Sequence, residues 1–246
     1  MTDYKKETAK LIYNEMKSGN VGSVISLISK ELKKEKTDKL RFTKTPLLIS
    51  IGQELGKLLF KENWKFERLE ELWKKGERDE KLIVISALGK ISKKDYENTK
   101  RFVLNIINDI SDWEICDQLA LRVVVNLAVK NQKETFRLMR QWIKSENKWV
   151  RRLAVATIPP YIRAKNTESK ICLEFLNETM SERDKDVKKA IGWALREITK
   201  KDEEAVFEFL KKRTKISDKN TRWIIKEGMK KLPEKEKEKL KSLTNN

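Results

Sequence analysis

Val150-Arg151-Arg152-Leu153-Ala154 and Val187-Lys188-Lys189-Ala190-Ile191 repeat one order of side chains: an apolar residue, two cations, then two more apolar residues. Working outward from them, segments that begin near Asp79, Asp112, Asn147, Asp184 and Asp218 fall under one another at offsets of 33, 35, 37 and 34 residues. Each opens on a charged-apolar helix and runs on into a second helix. A period of this length, built from helix pairs, predicts an all-α fold: an α-solenoid of HEAT type with about six to seven pairs, in which stacked pairs bury a shared core. Such a stack curves. The same helix position in successive repeats then lines one concave face, expected here to be basic.

The rest of the chain agrees with helices. Leu82, Val84, Ile85, Leu88 and Ile91 keep a three-four spacing, as do Phe102, Ile106, Ile107 and Ile110. Helix starts and stops recur at Ser18-Gly19-Asn20, Gly76-Glu77-Arg78-Asp79, Ser92-Lys93-Lys94-Asp95, Asn108-Asp109, Ser111-Asp112, Ser145-Glu146-Asn147, Ser181 and Ser217-Asp218. They cut the chain into roughly a dozen short helices with short loops. Only 8 Gly and 4 Pro occur in 246 residues, too few for the tight turns of a sheet protein. No linker divides the sequence, so residues 1–246 read as a single helical repeat domain. The stretch 234–246, rich in Glu and Lys, reads as a solvated terminal helix that frays.

Composition narrows the chemistry. Lys and Arg total 56 against 38 acids, a net charge of +18, and this points to a polyanionic partner through counterion release. Nucleic acid is the first expectation, an anionic membrane the second, plain solubility the third. No run of 18 apolar residues exists and the N-terminus is polar, so the expected location is cytoplasmic, on the nucleoid when bound to DNA. Histidine is absent, which removes Ser-His and Cys-His nucleophiles and every His-containing metal site. Cys116 and Cys172 lack metal or redox spacing and read as buried thiols. Gly89-Lys90 has no upstream glycine to make a phosphate loop. Neither metal nor cofactor is expected.

Carboxylates, cations and indoles remain. Asp117, Arg152 and Lys189 are separated by 35 and 37 residues and so share one repeat position. Trp113 lies four residues before Asp117, and Trp193 four after Lys189. Residues four apart share a helix face. One face therefore gathers a carboxylate, two indoles and several cations. Arg151 and Trp149 flank Arg152 and join the basic side of this column, as does Arg196. The remaining tryptophans divide differently: Trp64, Trp73 and Trp142 are expected in the core between helices, Trp149 over a helix start, and Trp223 in either setting.

At these residues the chain resembles a known family. Asp112-Trp113-Glu114-Ile115-Cys116-Asp117, Trp149-Val150-Arg151-Arg152-Leu153-Ala154 and Lys189-Ala190-Ile191-Gly192-Trp193-Ala194-Leu195-Arg196-Glu197 are similar, in order and separation, to segments of the DNA alkylation repair family of AlkD-like glycosylases. The last stretch is the most specific and the W-x-x-x-D pair the next. The resemblance implies a HEAT-like repeat fold and excision of positively charged alkylpurines from double-stranded DNA, without a pocket for a flipped base. By residue match it implies that Trp113, Asp117, Arg152 and Trp193 line the site around the lesion. The family's N-terminal element, Gly-Ile/Val-x-x-Pro-x-x-Arg, is represented in Thr43–Ile49 by Pro46 alone.

The expected roles follow. Asp117 stabilises the oxocarbenium-like sugar, Trp113 and Trp193 offer cation–π faces, and Arg152, Lys189 and Arg196, with Arg151 and Trp149, hold the DNA backbone. The protein is expected to act as a monomer. The alternatives from the sequence are a non-catalytic binder of damaged or branched DNA with the same fold, and a protein-interaction scaffold.

Overall fold

The computed structural model describes residues 2–34, 43–61 and 66–245. The fold is all-α. In chain order the helices are α1 (Thr2–Ser18), α2 (Val21–Lys33), α3 (Thr45–Lys61), α4 (Glu67–Lys75), α5 (Arg78–Ile91), α6 (Tyr96–Ile106), α7 (Trp113–Leu119) and α8 (Val125–Lys130). They continue as α9 (Gln132–Trp142), α10 (Lys148–Ala156), α11 (Ile158–Ile162), α12 (Ser169–Asn177), α13 (Lys185–Thr199), α14 (Glu203–Lys211), α15 (Lys219–Gly228) and α16 (Glu234–Asn245). Two interruptions raise the number above the dozen expected. A π-helical turn, Ala120–Val124, separates α7 from α8, and Pro159 and Pro160 open the short α11 after α10.

Capping sets the helix starts. Asn20, Asp95, Asp112, Asn147, Asp184 and Asp218 each accept a backbone N–H bond as N-cap. The start expected at Asp79 lies two residues earlier, at Glu77, whose backbone N–H is held by the Glu80 carboxylate at 3.0 Å. The signal at Ser181 belongs to a loop, and the cap is Asp184. Asn131 and Asp202 also cap helices that composition did not mark.

The helices group into two compact units, Met1–Lys130 and Asn131–Asn246. In the first, α1, α3, α5 and the run from α7 through the π-turn pack side by side, backed by α2, α4 and α6. Leu48, Ile51, Leu55, Leu82, Ile85, Leu88 and Phe102 form its sealed core. α3 and α5 lie unusually close: a Cβ at Gly52 would come within 2.4 Å of the Ile83 carbonyl oxygen, and Ser86 Oγ donates across the gap to the Ile49 carbonyl at 2.6 Å. Trp73 is buried here, its indole N–H donating to Asp109.

In the second unit, α10, α13 and α15 form one row, and α12, α14 and α16 pack in series behind them. The Phe136 ring of α9 meets Phe175 of α12 and Tyr161 edge-on at 5.8 and 5.1 Å. Leu153, Val155, Leu176, Ile191, Leu195 and Ile198 complete the core, and Trp142 is buried against it. The stretch at 234–246 departs from the expected solvated tail. Leu240 of α16 is fully buried, and Lys239 Nζ lies 5.8 Å from the Phe207 ring centre on α14. One apolar side chain in the right register docks the helix. Cys116 and Cys172 are both buried thiols, and burial pushes Cys172 up to about 12. Trp64 lies outside the described residues.

Candidate functional site

The caps Asp112, Asn147 and Asp184 put Trp113, Lys148 and Lys185 first in α7, α10 and α13. Counting on, Asp117, Arg152 and Lys189 are each the fifth residue of their helices. The repeat position read from the sequence is therefore a structural equivalence. What the three residues do there differs.

In the first unit, Trp113 is 61% exposed, a large indole left in solvent at the first turn of a helix. Asp117 follows one turn later, half-buried, and shares its face. Glu114, between them, is drawn the other way. Arg78 Nε and Nη2 grip both its carboxylate oxygens at 2.7 and 2.9 Å, and Thr45 Oγ1 donates to it at 2.5 Å. The same guanidinium reaches Thr45 Oγ1, Asp79 and the Thr43 carbonyl. Burial alone would push the Glu114 carboxyl up, but the bonds from Arg78 and Thr45 and the Arg78 charge outweigh it and hold it below its usual range. The starts of α3, α5 and α7 are thus locked together beneath Trp113 and Asp117.

In the second unit the equivalent positions mostly serve the scaffold. Arg152 is 8% exposed and its Nη1 donates to the Asp186 carbonyl, stapling α10 to α13. Lys148 Nζ bonds the Asp186 carboxylate at 2.8 Å while lying 4.5 Å from the Trp149 ring centre, so Trp149 is half-buried at the helix start, as expected. That bond draws the Asp186 carboxyl below its usual range. Arg151 turns away from the row: its Nε and Nη2 hold Glu182 at 2.9 and 3.3 Å and its Nη1 holds the Ser145 and Glu146 carbonyls. Arg196 donates to the Glu227 carbonyl at 3.1 Å and approaches its carboxylate. The expectation that all these cations face a backbone thus meets a different geometry for Arg151, Arg152 and Arg196, because each repeat junction draws on nearby guanidinium groups to tie helix starts and ends together. Lys189 stays exposed. Trp193, one turn on, is half-buried, and Trp223 is likewise half-buried with Lys188 Nζ 5.2 Å above its ring.

Within each unit the structure keeps the short-range pairs: Trp113 with Asp117 on α7, and Lys189 with Trp193 on α13. Sequence reasoning missed the bonded ladder of Arg78, Glu114 and Thr45. Its signal was present, since these residues sit at repeat offsets at the starts of alternate helices, α3, α5 and α7. Among the described residues no group of three or more His, Cys, Asp or Glu is arranged to hold a metal, and no helix is long and apolar enough to cross a membrane.

The model of a family described as "DNA alkylation repair enzyme" matches residues 29–232. The chain belongs to that family. Its fold is similar to AlkD2 from Streptococcus mutans, with a TM-score of 0.66 at 16% identity over 87% of this chain and 99% of that one. It is similar to smu.31 from Streptococcus mutans UA159, with a TM-score of 0.65 at 16% identity over 87% and 100% of the two chains. A predicted DNA alkylation repair enzyme from Enterococcus faecalis gives 0.62 at 19% identity over 85% and 95%. No curated protein matches the sequence. The family membership supports the motif reading, and the structural likeness supports the helical-repeat fold.

Proposed function

We propose that the protein is a monofunctional DNA glycosylase that releases cationic N3- and N7-alkylpurines from double-stranded DNA. The observation that carries this reading is the pair on α7: an indole 61% exposed, one turn from the family-matched Asp117, on helix starts locked rigid from below. The exposed indole and the carboxylate share one helix face, so a duplex that reaches one reaches the other.

An alkylated purine nitrogen already bears positive charge. When the C1′–N bond breaks, its electron pair goes to the base, which leaves neutral without needing a proton. The sugar becomes oxocarbenium-like. The Asp117 carboxylate stabilises that charge and orients a water, which adds to C1′ and gives up a proton, leaving an abasic site and the free base. Trp113 offers a π face to the cationic sugar or base, a contribution of order 0.5 to 2 kcal/mol depending on solvation, and the family resemblance gives Trp193 the same role. Lys189 contacts a backbone phosphate. The chemistry requires no metal, cofactor or histidine, in keeping with a chain that has none of the last.

The test is single-turnover base release from matched duplexes. 7-Methylguanine and 3-methyladenine are released, whereas uracil and hypoxanthine, which are uncharged in the duplex and leave as anions unless an acid protonates them, are not. Release of uracil at a rate comparable to 7-methylguanine sinks the mechanism. DNA binding with no release of any cationic base favours a non-catalytic binder.

A further inference from the structure

The first unit holds a second feature that the glycosylase reading does not use. A cleft of about 190 Å³ opens between α3, α5 and the π-turn, room for roughly six waters at about 30 Å³ each, or a phosphate group with part of its hydration. Its charged lining is Lys90, Lys93 and Arg122. Gln53 and Asn126 add amides, and among the described residues lining it there is no acid. An anion entering this cavity meets three cations and, among the described lining residues, no carboxylate to repel it.

The backbone is shaped for this. Arg122 lies in the π-helical turn that interrupts α7 and α8, an irregularity that costs regular hydrogen bonding and is frequent at functional sites. Gly89 faces it: a Cβ there would sit 3.0 Å from the Arg122 carbonyl oxygen and 3.2 Å from its Cβ. Glycine at 89 therefore lets α5 sit closer to the turn than a side chain there comfortably allows. Asn126 Nδ2 donates to the Gly89 and Arg122 carbonyls and to Ser92 Oγ, tying turn to helix. The Arg122 Nε is held by Gln118 at 2.7 Å, and among the described residues its guanidinium makes no ion pair. It is half-buried, and burial disfavours its charged form. An anion in the cleft would offset that penalty.

We infer that this cleft binds a phosphate group, held by Arg122, Lys90 and Lys93, and that the group is a backbone phosphodiester of the DNA strand under repair. The second clause rests on the proposed function. It draws on position: Leu121, which lines the cleft, is one helical turn from Asp117 on the same run, about 5.4 Å along the axis. Phosphates recur about every 3.4 Å per strand along the duplex axis, a spacing short enough for one strand to present a sugar to Asp117 and a phosphate to the cleft.

The experiment compares the wild type with Lys90→Gln/Arg122→Gln in two arms. In the first, melting temperature is followed in inorganic phosphate against chloride at equal ionic strength. The wild type gains more than the double variant, and equal gains overturn the pocket. In the second, duplex DNA affinity is measured against salt. The double variant loses about 1 from the log–log slope, and an unchanged slope overturns the phosphodiester assignment while leaving a free-phosphate pocket to the first arm. Lys93→Gln, exposed at the rim, carries no risk to folding and lowers both readouts in the same direction. If the wild type binds DNA but releases no base, the glycosylase reading fails and both arms still decide the pocket.

Discussion

Compare α7 with α10. Both begin after an Asx cap, both bring a tryptophan within their first two residues, and both carry an ionisable residue at the fifth place. In α7 the tryptophan is exposed and the fifth residue is a half-buried carboxylate. In α10 the tryptophan lies half-buried against a lysine, and the fifth residue is a buried arginine that bonds the next helix. The difference lies in what surrounds each fifth residue. At the start of α7, Arg78 and Thr45 hold the neighbouring acid, Glu114, and tie the helix starts together. At the α10–α13 junction Arg152 itself supplies a tie. On the proposed function, one structural position in a helical repeat serves chemistry in one place and stacking in another.

The sharpest way to break this comparison is to change the fifth residues one at a time. Asp117→Asn keeps shape and removes charge. Single-turnover excision of 7-methylguanine falls by about 10²- to 10³-fold, the size expected when one electrostatic stabiliser of a transition state is lost, while thermal stability and duplex affinity hardly move. Release at the parental rate would return Asp117 to the scaffold. Arg152→Ala should do the reverse. Removing a buried guanidinium leaves the Asp186 carbonyl without that donor and costs about 1–3 kcal/mol of stability, measured by urea unfolding. A variant as stable as the wild type would show that Arg152 staples nothing.

These contrasts also mark what the sequence made legible. The period near 35 residues and the Asx caps gave the helix pairs and placed Asp117, Arg152 and Lys189 in one register, because capping and periodicity are local. Exposure of Trp113 followed from the i,i+4 rule. The fates of Arg151, Arg152 and Arg196 were not legible. Whether a surface-patterned cation faces solvent or a neighbouring carbonyl depends on the residue one repeat away, and composition treats the two alike. The cationic cleft was hidden for a similar reason. Gly89 and Arg122 stand 33 residues apart and acquire meaning only when a π-turn brings them together.

Glu114 sharpens the comparison from the scaffold side. Its folded carboxyl sits below its usual range, so the stability it contributes is fully present above the unfolded value of 4.5 and is lost as pH falls through the lower folded value. Glu114→Gln removes that titration. The variant is less stable at neutral pH by about 1–2 kcal/mol, the scale of a charged hydrogen bond partly screened by solvent, and the gap to the wild type closes as the solution is acidified below pH 4.5. Denaturant unfolding at a series of pH values checks this. A gap that stays constant into acid would mean that Arg78 and Thr45 do not hold the ionised form.

The smallest effect belongs to Lys189, the third fifth-place residue and the exposed one. Among the described residues its side chain bonds no carbonyl, so Lys189→Gln leaves the unfolding midpoint where it was. What changes is electrostatic. Removing one cation from a phosphate in the duplex footprint flattens the plot of log affinity against log salt by about 1. Binding weakens by a similar factor for every DNA sequence tested, because a point charge on a phosphate reads no base. Excision at saturating protein stays near the parental rate, since Lys189 positions the duplex and does not touch the reacting sugar. Set beside Asp117→Asn, which lowers the rate and spares affinity, and Arg152→Ala, which lowers stability, this outcome separates chemistry, stacking and backbone binding among three residues at one place in the repeat. If Lys189→Gln instead left the salt slope unchanged, the α13 start would hold no phosphate, and the duplex would have to be gripped elsewhere, with the cleft at Arg122 the first place to look.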